Sequence, residues 1–411
     1  MLWAKRATPL HEKSRAVGVD LTSSRARGMA VASGKSRSLL FDDPDEELRL
    51  FIALDRRTPE VGRAGYVLCR KTPHAVCSNF LPALTQAREW RVGRHVLSPE
   101  GALELAFGKL RDFVSAESEA AVLALPSYLA PGQVTKVVAV AGRAKLPLKG
   151  TTVASLAIVA DRASSILEGT PVAPEVPTPE WVVPMRPTGG GPGVVAVVDA
   201  DEFALSGSLV SVERNQTRLL ASACWPRFAV KAWKDRLLDA VSDRCVRLCR
   251  RDPRDSADAE QALFEQLDDA LDRARAGQRI SLTVRTDRWY QDVVQPPDEF
   301  DGYCAALARN SADAVCDLLG GSGLAVPVRA VWLTHEAGRL PGLIRAIHLN
   351  TPEGTAVEVL PPGAAARAAA ALVPRWLAAE LPRAHLDTIL PLPPRDAGPQ
   401  AGVEKPKISR R

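Results

Sequence analysis

The chain has 411 residues, 46% hydrophobic and 25% charged, with 53 basic against 48 acidic side chains for a net charge of +5. That length and balance suit a globular protein of two domains. The small net charge gives no argument for nucleic acid as a partner, and no stretch approaches the roughly 18 uninterrupted apolar residues of a membrane span. Residues 1–14 lack an apolar signal core, and the seven cysteines show no framework spacing. No cleaved signal peptide is therefore expected, and reduced thiols point to a cytoplasmic location.

Residues 1–14 read as a flexible tail. Patterned sequence begins with Ala16-Val17-Gly18-Val19-Asp20-Leu21, passes Thr22-Ser23-Ser24, and resumes at Gly28-Met29-Ala30-Val31-Ala32. This is a strand, a turn and a returning strand, with an acid at the turn. Lys35 to Phe41 reads as a third strand, ended by Asp42-Asp43-Pro44-Asp45. Ser98 and Pro99 open a helix as N-cap and first helical residue, with apolar residues at Leu103, Phe107, Leu110 and Val114. A strand over 120–125 leads into Pro126-Ser127-Tyr128-Leu129 and a helix over 134–142.

Residues 171–193 are rich in Pro and Gly and read as a linker. The turn device then returns. Val194 to Val198 is a buried strand ending in Asp199, and a second strand follows at Ser208 to Val212. Long helices are expected over 227–250, 259–274 and 298–319, with strands over 279–286 and 328–333. An alanine-rich helix over 363–380 precedes a tail expected to be disordered from 383 to 411.

Two such hairpins, each with an acid at its turn and about half the chain apart, resemble the actin-fold ATPases. Within these, the chain is similar to the nucleotide-binding half of DnaK-type heat-shock 70 kDa chaperones, over about residues 15–382. The most specific likeness is the strand, Pro126-Ser127-Tyr128-Leu129 and Gln133. Thr151 to Ala157 resembles the family's lobe-connecting helix, and Val328 to Leu333 with Gly338-Arg339-Leu340-Pro341 resembles its adenosine motif. The resemblance implies an α/β, two-lobed actin-like (duplicated ribonuclease H-like) fold. Lobe I would span 15–170, lobe II 194–362, and a closing helix at 363–382 would pack back on lobe I.

The chemistry departs from the family. Backbone N–H groups reach phosphate oxygens most easily where glycine removes the Cβ. Here the first phosphate loop reads Asp20-Leu21-Thr22-Ser23-Ser24 without its glycine. The second falls on Asp199 to Ser206 and loses all three of the family's glycines, while Asp201 and Glu202 bring negative charge toward the phosphates. One such contact at ~4 Å costs on the order of 4 kcal/mol at an effective dielectric near 20. His335 and Glu336 replace the adenosine motif's glycines, and Leu81 to Leu84 stands where a catalytic lysine belongs.

The reading is a DnaK-like pseudo-ATPase acting as an interaction scaffold or chaperone-related regulator, with a protein partner and no cofactor. The alternative is a slowly hydrolysing ATPase. If the site is retained, ATP or ADP would meet Asp20, Thr22, Ser23, Ser24, Asp199, Ser206 and Arg339, with Asp20 and Asp199 on magnesium. Without a ligand, Asp20 and Asp199 are expected to cap their own turns. Neither Cys245 with Cys249, nor Cys69 with His74 and Cys77, completes a metal set, and His335 with Glu336 reads as structural rather than as a general base.

Overall fold

The structure is a computed structural model and describes residues 16–32, 35–41, 45–169, 191–286, 288–321, 328–352, 354–381 and 384–393. The expected tail at 1–14 and most of the expected linker lie outside these residues.

In the first half, β1 (Ala16–Leu21) and β2 (Arg25–Ala32) form the expected hairpin. β3 (Lys35–Ser38) and β4 (Glu47–Arg49) both add to β2. A small sheet of β5 (Ile52–Ala53), β6 (Glu60–Val61) and β7 (Val76–Cys77) carries the short helix α1 (Arg63–Tyr66). The hairpin of β8 (Trp90–Val92) and β9 (His95–Leu97) then leads to α2 (Pro99–Glu117). The Ser98 hydroxyl accepts from the Gly101 N–H, so this helix starts where its cap residue predicts.

β10 (Ala121–Leu125) and β11 (Leu148–Val153) flank α3 (Pro131–Arg143) and extend the sheet in parallel. The lobe-connecting segment is corrected here. Thr151 to Val153 close a strand, and the helix, α4 (Ala154–Asp161), begins only at Ala154. A short α5 (Ala163–Glu168) follows.

The second half repeats this plan. β12 (Gly193–Ala200), β13 (Leu205–Val212) and β14 (Gln216–Trp225) are antiparallel neighbours. α6 (Val230–Cys249), α7 (Ala257–Arg275), the hairpin β15 (Ile280–Arg285) and β16 (Tyr290–Gln295), and α8 (Pro297–Gly321) come next. β17 (Val328–Leu333) then joins β12 in parallel, followed by α9 (His335–Gly338), α10 (Leu343–Asn350) and β18 (Ala356–Val359). One sheet runs β3-β2-β1-β10-β11 and the other β14-β13-β12-β17-β18, so order and polarity coincide. The chain is a mixed α/β protein built on two equivalent sheets. No described helix is long and apolar enough to cross a membrane.

Sequence pattern explains the layers. Val194, Ala196 and Val198 face a core shared with α6, α7 and α8, while Val195 and Val197 face the opposite side. A strand buried on both faces must be apolar throughout, which is what this run shows. That second side is a layer between the sheets, formed by α4 and α11 (Ala364–Leu377), where residues of both halves meet. α11 lies so close on β1 that a Cβ on Gly18 would stand 1.9 Å from the Ala366 carbonyl oxygen. Only glycine allows that approach.

The expectation of disorder from residue 383 is overturned for residues 384–393. β19 (His385–Leu386) pairs with β11, and β20 (Ile389–Pro391) pairs with β14. A single short segment therefore adds an edge strand to each sheet. Its Leu386 and Leu390 are buried, and that burial holds it. Residues 394–411 lie outside the described part.

Candidate functional site

The two hairpins point their turns at one another across a cleft. At the first turn, Thr22 is buried and its hydroxyl lies 3.3 Å from both the N–H and the carbonyl of Arg25. At the second, Asp201 accepts from the N–H groups of Phe203 and Ala204 at 2.8 and 2.9 Å. Turn capping therefore falls to Thr22 and Asp201, and not to Asp20 and Asp199 as expected. Asp199 accepts from the N–H of the next strand residue, Ala200, at 2.9 Å, and Asp20 lies 3.9 Å from the Arg25 guanidinium.

Asp199 instead accepts from the Thr334 hydroxyl at 2.6 Å. With Asp20, Ser206, Ser155 and Thr334 it lines an inner cavity with room for little more than a water molecule. Ser206 lies directly opposite Asp199 in the β12–β13 ladder. Burial, then the facing carboxylate of Asp20, pushes Asp199 up to about 7. Burial likewise lifts Asp20 to about 6 against the pull of Arg25.

Asp201 does more than cap. Its other oxygen accepts from the backbone N–H of Ser23 at 3.0 Å and from the Tyr128 hydroxyl at 2.5 Å. Both donors belong to the first half, so a carboxylate of the second half binds the turn between β1 and β2. Glu202, beside it, also turns inward and meets Lys234 at 2.8 Å.

The outer cleft is filled by charged side chains from both halves. Lys234 is 2% exposed and bonds Asp268 at 2.9 Å as well as Glu202. Asp268 also receives Arg49 at 3.0 Å, Arg339 at 2.9 Å and the Tyr66 hydroxyl at 2.9 Å. Glu336 pairs with Arg25 and, at 2.5 Å, with Arg339. Glu47 holds Arg25 at 3.3 Å and Arg27 at 2.5 Å. Burial alone would push Asp268 and Glu336 up, but their arginine and lysine neighbours outweigh it and hold both well below the carboxylate range. For Lys234, burial is outweighed by Asp268 and Glu202, which keep it above the ordinary lysine value. Charges buried this deeply persist only when paired and hydrogen-bonded.

Further bonds join the halves beside the cleft. Arg70 pairs with Asp235, its N–H donates to the Gln261 side chain at 2.7 Å, and Gln261 donates to the Tyr66 carbonyl at 3.0 Å.

The sequence-predicted residues thus separate into three places. Asp20, Asp199 and Ser206 surround the inner cavity. Ser24 and Arg339 line the outer cleft, and Thr22 and Ser23 are bound within the turns. Lys234, Asp268, Glu47, Tyr66 and Tyr128 were not anticipated. A lysine three residues before Leu237 and four after Val230, on the apolar stripe of α6, was the available signal. Asp268, flanked by the buried Leu267 and Leu271, was another.

Asp201 holds the Ser23 loop N–H, and Glu202 and Glu336 add negative charge to the lining of the outer cleft. Among the described residues, no group of three or more His, Cys, Asp or Glu side chains is placed to hold a metal. His335 lies 3.4 Å from Asp272 and 3.3 Å from Glu336, within the same charged network. Comparison of the chain with protein-family models and with curated proteins gives no match.

Proposed function

We propose that the chain is a pseudo-ATPase of the actin-like, DnaK-like kind that serves as a protein-interaction scaffold. The matching strand order of the two sheets, with two helices between them, supports the duplicated ribonuclease H-like fold that this reading needs.

One observation carries the functional reading: the Ser23 N–H and the buried charges of the cleft are bound by the protein's own side chains, while the Ser23 hydroxyl and the Nε atoms of Arg25 and Arg339 find no partner among the described residues. Asp201 bridges the Ser23 N–H and the Tyr128 hydroxyl. A nucleotide would have to displace this carboxylate and leave a network of buried charges unpaired, at about 3–5 kcal/mol for each pair broken. Resident carboxylates do what bound phosphate does in a working member of such a fold: they hold two lobes closed. The closed form then needs no nucleotide, and the outer surfaces keep one fixed relation to each other. A fixed surface suits a scaffold, since little ordering cost remains when a partner docks.

Titration calorimetry with ATP and ADP, with and without magnesium, tests this. At about 100 μM protein no binding heat is expected, which places any Kd beyond roughly millimolar. Micromolar, magnesium-dependent binding that is abolished by Asp199→Ala would establish the slowly hydrolysing ATPase instead.

A further inference from the structure

A cationic surface lies on the first half, outside the cleft. The β8–β9 hairpin turns through Gly93 at a φ of 54° and rests on the β5–β6 loop. Arg94 donates to the Arg57 carbonyl at 2.5 Å, and the His95 ring nitrogen lies 2.8 Å from the Arg56 carbonyl. These contacts set Arg94 against the loop that carries Arg56 and Arg57, and those three are exposed, as are Arg88 and Arg91 of the hairpin segment and the acidic Asp55, Glu60 and Glu89. Arg56 is paired with Glu60 at 3.1 Å and Arg91 with Glu89. Arg57, Arg88 and Arg94 have no carboxylate partner among the described residues.

We infer that this face docks an acidic segment, rich in Asp and Glu, of a partner protein. Every cation of the cluster is arginine, whose planar fork matches carboxylates with two parallel hydrogen bonds. The two intramolecular pairs are solvent-exposed, hence weak, and exchange readily for a partner's carboxylates. A single-stranded nucleic acid would need an open aromatic face to stack on. Trp90 offers none, because it packs half-buried on the first-half core and Arg88 covers its ring at 4.4 Å. A membrane would need an apolar stripe beside the charges, and Val96 is the sole large exposed apolar side chain of the hairpin. Acidic protein is the remaining chemistry. The inference goes beyond the scaffold reading and uses no residue of the cleft, so the nucleotide titration neither supports nor removes it.

The test is fluorescence anisotropy of a labelled, mixed Asp/Glu peptide with the full chain and with an Arg57→Glu/Arg88→Glu/Arg94→Glu variant. A thymine oligonucleotide and phosphatidylserine-containing vesicles run in parallel. The peptide is expected to bind the native chain, more weakly as salt rises, and roughly tenfold or more weakly to the variant. Should the variant melt early, the glutamine series at the same positions replaces it, with a smaller loss in the same direction. Absence of peptide binding, equal binding by the folded variant, or tighter binding of the oligonucleotide or vesicles at equal salt would each overturn the inference.

Discussion

Asp201 shows how one side chain replaces a ligand. Four donors converge on it, two from its own turn and two from the other half. Asp199, two residues earlier, has the opposite character: few donors, a facing carboxylate and a value near 7 instead of 3.8. The folded chain therefore holds a proton on Asp199 more tightly than the unfolded chain does. The stability linked to that proton is complete below about pH 4 and is lost as pH rises through 7. Asp20, at about 6, acts in the same sense. Asp199→Asn is expected to remove part of this fall and to be more stable than the native chain near pH 8, by on the order of 2 kcal/mol. Thermal melts from about pH 5 to 8 decide it, and parallel curves for the two proteins would sink the idea. Asp20 and Asp199 were legible in the sequence because an acid ends an apolar run. Their environment was not, because it depends on what the other half of the chain brings to face them.

Among elements, α6 and α7 are the informative pair. Their apolar faces follow the helical period and were readable as such. The polar residues set within those faces, Lys234 and Asp268, were not, since periodicity treats a buried charge as an exception without supplying its partner. Lys234→Ala is expected to destabilise the fold by about 3–5 kcal/mol, because Asp268 and Glu202 would be left buried with one cation fewer. Denaturant unfolding measures this, and a loss under about 1 kcal/mol would show that the network rearranges freely. The segment at 384–393 was misread for the reverse reason. Its strands are too short to show alternation, and they exist because two sheet edges lie within reach.

At the scale of the whole molecule, the likeness of two hairpins half a chain apart was enough to indicate two equivalent halves. How the cleft between those halves is held was not legible, because its residues are polar and scattered. They are also remote in sequence: Ser23 and Asp201 are 178 residues apart. Such remoteness has a kinetic consequence. Closing long loops costs entropy before any contact rewards it, so the contacts across the cleft are expected to form last. Interactions made after the transition state slow escape from the native state without hastening arrival. Asp201→Ala should therefore speed unfolding in stopped-flow measurements while leaving the refolding rate nearly unchanged, and an equal effect on both limbs would show that the halves meet early. On this account the charged cleft acts as a time lock: once shut, it sets how long a molecule stays folded more than how readily it folds.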